Sequence, residues 1–141
     1  MYQSNDKWGA VIAIFADRLI NKKSPIVFGN GNQKRDFMGY KDAIDFYMLI
    51  LKGKGRFGED YNVGMGKNIS IKELANLMIK IFEEKAHIKK GSIKPIYGKA
   101  RPGEVKEFLC DNRKALKLGW KPDTNFKKLL TEYIEWKLKC L

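Results

Sequence analysis

"SPIVFGNGNQKRDFMGYKDAIDF", residues 24–46, predicts a strand, a tight turn, a second strand and the start of a helix in one continuous run. Pro25 sets an extended start, and the β-branched residues after it indicate a short strand. The glycines and asparagines of 29–32 predict the turn. "KRDFMGY" predicts a second short strand, weakened by Gly39, and 41–52 predicts a helix with apolar residues on nearly all sides, buried on more than one face. The stretch therefore favours a fold in which helices alternate with short strands.

The same alternation continues on both sides of this stretch. Further helices are predicted at 8–20, after Ser70 and near the C-terminus, and further short strands at 59–64 and 92–98. Ser70 and Glu73 have the spacing of a capping box, in which two side chains satisfy the free backbone N–H groups at a helix start. We find no internal repeat and no linker, so we expect one α/β domain with α+β-like character over residues 1–141.

Composition and the terminal sequence limit where the chain acts. It has 141 residues, of which 44% are apolar and 31% charged, as is typical of a globular protein. No apolar run approaches about 18 residues, and the first ten residues lack a basic segment followed by an apolar one. We therefore expect a cytoplasmic chain with no membrane partner. Cys110, Cys140 and the single His87 stand apart in the sequence, so we expect no metal site.

The net charge of +12 would suit a polyanionic ligand. The lysines are spread along the whole chain, however, and no block of them resembles a basic arm or a recognition helix. A solvated, lysine-rich surface is the simpler interpretation, and we do not expect nucleic acid as the main partner. A non-catalytic basic module that binds nucleic acid or acidic proteins stays open as the alternative function.

Gly53, Gly55 and Gly58 form the pattern G-x-G-x-x-G that dinucleotide-binding loops share. Such a loop needs a strand before it and a helix after it, because the helix N-terminus faces the pyrophosphate. Here the predicted order is reversed, with a helix before the glycines and a strand after them. We therefore interpret them as a helix-to-strand connection and expect no cofactor-binding residue in this chain.

Tyr133 and Lys137 have the spacing of a short-chain dehydrogenase catalytic pair. They fall on a late amphipathic helix, where Tyr133 shares the apolar face with Phe126 and Leu130. We interpret Tyr133 as a core residue with its hydroxyl at the rim, and we expect no catalytic residue in this chain.

Three stretches in a fixed order carry a resemblance to a known family. Residues 24–46 are followed by "YNVGMGKNISIKELANLM" at 61–78 and "KARPGEVKEFLCDNRKALKLGWKP" at 99–122. Together they resemble the C-terminal half of the extended short-chain dehydrogenases/reductases, NAD-dependent nucleotide-sugar epimerases and dehydratases such as UDP-glucose 4-epimerase. The resemblance runs from about Gly9 to Lys137. It implies the α/β fold of that family's substrate-binding domain.

The resemblance assigns six residues to a nucleotide-sugar site. They are Val11, Ile26, Phe28, Arg35, Arg101 and Glu104. Arg35 and Arg101 match arginines that contact the diphosphate, and the planar fork of arginine suits phosphate oxygens. Glu104 stands where the family usually has an Asp that hydrogen-bonds the ribose. Without the resemblance, Arg35 beside Asp36 would indicate a surface ion pair. Arg101, which precedes Pro102 and Gly103, would indicate an exposed charge in a loop.

The remaining three residues match positions near the nucleobase. Ile26 and Phe28 match the strand that lies along the base, and Val11 matches a residue near the base and phosphates. An aromatic ring such as Phe28 offers an apolar wall to a flat base. The resemblance thus implies a UDP- or dTDP-sugar as the ligand.

The resemblance covers only one half of the family's proteins. In the family, the N-terminal half carries the NAD loop and the catalytic Tyr-x-x-x-Lys. We therefore expect no isomerase or other NAD chemistry from this chain alone, although NAD is implied for the full-length family. In the family the helix matching 41–52 packs on that half, so we expect an exposed apolar face here. We expect that face to drive self-association or docking to a separate Rossmann-domain chain.

Overall fold

The computed structural model describes residues 10–140, and within them it contains five helices and four short strands. The helices are α1 (Val11–Ile20), α2 (Tyr40–Leu51), α3 (Ile71–Lys85), α4 (Arg113–Lys117) and α5 (Phe126–Lys139). The strands are β1 (Ile26–Phe28), β2 (Lys34–Asp36), β3 (Asn68–Ser70) and β4 (Ile96–Gly98). Helices and short strands therefore alternate as predicted, and the α/β class is confirmed. No helix within 10–140 is long and apolar enough to span a bilayer.

The described chain divides into two compact units. The first comprises residues 10–33, 70–104 and 127–140, and the second comprises residues 34–69 and 105–126. The expectation of one domain over residues 1–141 stays a prediction. The part of the first predicted helix before residue 10 lies outside the described residues.

In the first unit, helices α1 and α3 pack together and a short parallel sheet is formed by β1 and β4. The register of the sheet places Ile26 beside Ile96 and Phe28 beside Gly98. Its fully buried side chains include Phe15, Leu19, Val27, Leu74, Met78, Ile81 and Ile134. This apolar core gives the end of β1 a fixed position in the unit.

Helix α3 begins at the predicted capping box. The Ser70 hydroxyl accepts a hydrogen bond from the Glu73 backbone N–H at 3.3 Å, and the Glu73 carboxylate accepts one from the Ser70 N–H at 3.0 Å. Two backbone donors that the first turn would leave without partners are satisfied in this way. The capping-box prediction is confirmed.

In the second unit, a buried aromatic pair joins α2 to the segment after α4. The Trp120 ring meets Phe46 edge-on, with 5.7 Å between ring centroids. The Trp120 indole N–H donates to the Asp42 carbonyl at 2.9 Å, and the buried Asp42 carboxylate accepts from the Asp123 N–H at 2.8 Å. These bonds satisfy the indole N–H and the Asp42 Oδ1, whereas Asp42 Oδ2 is buried with no hydrogen-bond partner among residues 10–140.

The strand predicted at 59–64 is wrong, because those residues form no regular structure and β3 begins only at Asn68. At the end of this stretch, side chains bond the backbone of residues 64–66. The Asp36 carboxylate accepts hydrogen bonds from the N–H groups of Met65 and Gly66, both at 2.9 Å. The Asn112 amide donates to the Gly64 carbonyl at 2.8 Å. Backbone groups bonded by side chains no longer need a neighbouring strand.

Helix α2 is formed as predicted, but it is not buried on more than one face. Its buried residues are Asp42 and Phe46, while one side carries exposed apolar side chains. We call this side the α2 stripe; its residues are Tyr40, Ile44, Tyr47, Met48 and Leu51. Their spacing of three and four residues places them on one helical face. The expectation of an exposed apolar face is thereby confirmed.

Candidate functional site

The end of strand β1 carries one of the predicted site residues in a close strand pair. Phe28 lies beside Gly98, and the next residue, Gly29, donates its N–H to the Gly98 carbonyl at 3.0 Å. A β-carbon on Gly98 would lie 3.3 Å from a Phe28 ring carbon, which is tighter than ordinary packing. The glycine therefore leaves room for the Phe28 ring against β4.

Arg101 follows β4 and stacks on that ring. Its guanidinium carbon lies 3.9 Å from the Phe28 ring centroid, which is a close cation–π contact. The side chain is exposed, and among residues 10–140 the guanidinium makes no hydrogen bond or ion pair. Because stacking uses the face of the guanidinium, its in-plane N–H donors stay available to an anion.

Gln33 links the same strand to another predicted residue. Its side-chain amide donates to the Phe28 carbonyl at 3.0 Å and to the Glu104 carboxylate at 3.4 Å. The sequence did not single out Gln33, because its role depends on a fold that places Glu104 beside the β1 end. We call Phe28, Gln33, Arg101 and Glu104 the β1-end cluster. It presents a cation, a carboxylate and an aromatic ring in the first unit.

Arg35 lies on β2 in the second unit. One nitrogen of its guanidinium donates to two backbone carbonyls, those of Lys34 at 2.8 Å and Val105 at 2.7 Å. The carboxylate of neighbouring Asp36 accepts hydrogen bonds from the N–H groups of Met65, Gly66 and Cys110. Asp36 therefore holds the loop around Met65 and Gly66 in place. The sequence taken alone suggested only a surface ion pair with Arg35.

Val11 and Ile26 are the remaining predicted site residues. Val11 opens helix α1, and Ile26 opens strand β1 opposite Ile96. Both are half-buried and belong to the first unit. Their contact with a nucleotide stays a prediction.

Tyr133 and Lys137 are held by structural contacts. The Lys137 ammonium donates to the Asp17 carboxylate at 2.6 Å, and this bond raises the pKa of Lys137. The Tyr133 ring packs against Trp136 with 5.9 Å between centroids, and burial raises the pKa of Tyr133 above its usual value. A tyrosine that acts as a catalytic base needs a lowered pKa, so this environment opposes that role.

The glycine pattern at 53–58 does not have the surroundings of a dinucleotide loop. Helix α2 ends at Leu51, and Gly53 follows with a φ of +76° and donates to the Ile50 carbonyl. The next helix, α3, begins only after β3, at Ile71. Gly53 stands at the end of a helix, and in the described part of the chain no helix begins directly after the three glycines, so they do not fit the pyrophosphate of NAD.

Sequence comparison finds a family of known proteins that the chain matches. The profile of the family described as GDP-mannose 4,6 dehydratase matches residues 5–133. A putative UDP-glucose 4-epimerase of Methanocaldococcus jannaschii is 36% identical over 126 residues, which cover 89% of this chain and 38% of that protein. The chain thus spans less than half the length of this relative.

Comparison with solved structures finds the same fold in nucleotide-sugar epimerases. The UDP-N-acetylglucosamine 4-epimerase of Methanobrevibacter ruminantium, solved with UDP-N-acetylmuramic acid, matches with a TM-score of 0.83 and 27% identity. The match covers 99% of this chain and 43% of that one. The UDP-glucuronic acid 4-epimerase of Bacillus cereus, solved with UDP-glucuronic acid and NAD, matches with a TM-score of 0.77 and 24% identity over 99% of this chain and 43% of its own.

Proposed function

Since the chain belongs to the GDP-mannose 4,6 dehydratase family, within the extended short-chain dehydrogenases/reductases, we propose that it is the substrate-binding part of a nucleotide-sugar epimerase or dehydratase. Its ligand is a nucleoside diphosphate sugar of the UDP or dTDP type. The Methanobrevibacter ruminantium relative, solved with UDP-N-acetylmuramic acid, supports a UDP-sugar ligand. The single observation that carries the proposal is the exposed Arg101 guanidinium, oriented by Phe28 with its N–H fork available.

The proposed site residues have roles that suit their chemistry. Arg101 binds diphosphate oxygens through paired N–H donors. Arg35 keeps the phosphate contact that the family resemblance assigns to it. Glu104, steadied by the Gln33 amide, accepts hydrogen bonds from the ribose hydroxyls. Ile26 and Val11 supply apolar surface near the base.

NAD, when bound by a full-length relative, supplies the hydride acceptor for reversible oxidation of a sugar hydroxyl. The glycines at 53–58 do not fit this cofactor, and the Tyr133 environment opposes a catalytic base. The part of the reaction that belongs to these residues is therefore binding and orientation of the substrate. We propose that a nucleotide-binding region beyond these 141 residues holds NAD.

The α2 stripe is the surface that we propose for docking. Tyr47 is 66% exposed and Leu51 is 78% exposed, and three more apolar side chains lie on the same face. Exposed apolar stripes of this kind mark interaction surfaces. The proposed occupant is a Rossmann-type nucleotide-binding region, and in its absence a second copy of this chain.

Calorimetry with UDP-glucose and dTDP-glucose tests the binding proposal. We expect heat of binding with the wild-type chain, and at least a tenfold loss of affinity in Arg101→Ala and in Arg35→Ala, because each removes a charged donor to phosphate (about 1.5–3 kcal/mol). Arg56→Ala, in the exposed loop after α2, is the matched control and leaves binding unchanged. Absence of heat with every nucleotide sugar, or equal affinity in all four proteins, would refute the site.

The basic-module alternative draws on the net charge of +12. It predicts binding to random oligonucleotides that weakens steeply with salt and is insensitive to free UDP. The proposed function predicts that the chain binds UDP, that this binding depends on Arg101, and that free UDP competes with any oligonucleotide binding. Measuring both ligands at two salt concentrations separates the two functions.

A further inference from the structure

The Phe28 ring occupies a fixed place between its own strand and β4. Its backbone carbonyl accepts a hydrogen bond from the Gln33 side-chain amide at 3.0 Å. The N–H of the next residue, Gly29, donates to the Gly98 carbonyl at 3.0 Å. The space that a Gly98 side chain would fill is taken by the ring. Both the backbone and the ring of Phe28 are therefore restrained before any ligand binds.

Arg101 gains its orientation from this restrained ring. A freely rotating exposed arginine loses several rotatable bonds of freedom when it binds an anion. The contact at 3.9 Å restricts the guanidinium in advance, and within residues 10–140 none of its N–H groups is bonded. Among residues 10–140 no carboxylate pairs with this guanidinium, so an anion would meet no competing partner there.

We propose that Phe28 is a positioning residue for diphosphate binding, which acts by holding the Arg101 guanidinium in the plane that receives phosphate oxygens. This inference rests on the proposed nucleotide-sugar function. It also changes the role that the sequence suggested for Phe28. One face of the ring carries the Arg101 guanidinium, so in this proposal the contribution of Phe28 to affinity passes through the phosphates.

Two measurements on the full chain test this role. The first is the NMR chemical shift of the Arg101 side-chain protons without ligand, which a stacked ring moves upfield. We expect this ring-current shift in the wild type and in Phe28→Tyr, and its loss in Phe28→Leu. This measurement does not depend on whether the chain binds a nucleotide.

The second measurement compares the affinity for UDP with that for uridine, which has the same base and ribose but no phosphate. We expect Phe28→Leu to weaken UDP binding about threefold to fivefold and to leave uridine binding unchanged. Phe28→Tyr keeps the ring and restores UDP affinity. In an Arg101→Ala background, Phe28→Leu has no further effect on UDP, because the group that it positions is gone.

The outcomes separate this inference from the proposed function. Equal weakening of UDP and uridine by Phe28→Leu would show a base contact and overturn the positioning role. A wild-type Arg101 without a ring-current shift would overturn it as well. If the ring-current shift is present but neither UDP nor UDP-glucose binds, the proposed function is wrong. The role of Phe28 in diphosphate binding is then wrong as well, although the contact between Phe28 and Arg101 is confirmed.

Discussion

The ammonium of Lys137 lies 2.6 Å from the carboxylate of Asp17, so that helix α5 is tied to helix α1 by a partly buried ion pair. The same lysine stands one helical turn after Tyr133, in the spacing that resembles a catalytic pair. The Asp17 carboxylate binds the ammonium and burial raises the pKa of Tyr133, so both side chains make packing contacts within the first unit.

Replacing Lys137 by Met is expected to destabilise the chain by about 1–3 kcal/mol, because it leaves the Asp17 carboxylate partly buried without its charged donor. The raised pKa of Lys137 means that its contribution is fully present below the unfolded pKa of about 10.4 and is lost as the pH rises through the folded value. Urea unfolding at pH 7 and above pH 11 measures both effects. Lys139→Met, exposed on the same helix, is the control, and equal effects of the two substitutions would contradict a special role for the pair.

Glu83 provides a second test at acidic pH. Its side chain is buried, and its carboxylate accepts from the N–H groups of Gly91 at 2.8 Å and Ile93 at 2.9 Å. Burial opposes ionisation, but these hydrogen bonds outweigh it and lower the pKa of Glu83. Its stabilising effect is therefore present above the unfolded pKa of about 4.3 and is lost as the pH falls through the folded pKa.

We expect Glu83→Gln to lower the free energy of unfolding by about 1–3 kcal/mol at pH 7, since an amide has one acceptor oxygen where the carboxylate has two. The difference from wild type should shrink as the pH falls below about 4. Thermal unfolding followed by circular dichroism across this range measures it. The exposed neighbour Glu84→Gln should change little, and a difference that stays constant with pH would show that the charge of Glu83 is not what matters.

Gly31 is expected to be the least replaceable glycine of the first unit. Its φ is +72°, and an added β-carbon would lie 2.7 Å from a Val27 side-chain atom and 2.8 Å from the Lys72 β-carbon. Gly31→Ala therefore adds a clash to backbone strain and should cost more than about 2 kcal/mol. Gly91 has a φ of +77° with open space around it, so Gly91→Ala should cost about 1 kcal/mol for strain alone. Equal losses in chemical denaturation would argue against the clash.

Local patterns in the sequence were sufficient for much of the fold. Pro25 with its β-branched neighbours gave strand β1, and the Ser70–Glu73 spacing gave the start of α3, because such signals act over a few residues. The strand predicted at 59–64 failed for the opposite reason. The backbone at its end, residues 64–66, is bonded by Asp36 and Asn112, which lie far away in the chain.

The candidate site was predictable only in part for the same reason. The family resemblance named Phe28, Arg101 and Glu104, and the structure links them through the ring contact and the Gln33 amide. Neither the stack nor the role of Gln33 could be read from spacing, because both depend on β4 pairing with β1 across a long intervening segment. Contact of any of the six predicted site residues with a nucleotide stays a prediction.

The α2 stripe should control self-association of the chain. Tyr47 and Leu51 lie one turn apart on an exposed apolar face, and covering them removes apolar surface from water. We expect sedimentation velocity to show concentration-dependent association of the wild type and a shift toward monomer in Tyr47→Glu and Leu51→Glu. Leu116→Glu replaces an exposed leucine on α4, outside the stripe, and should associate as the wild type does. A wild-type chain that stays monomeric at high concentration, or a Leu116→Glu effect as large as that of Leu51→Glu, would contradict association through this helix.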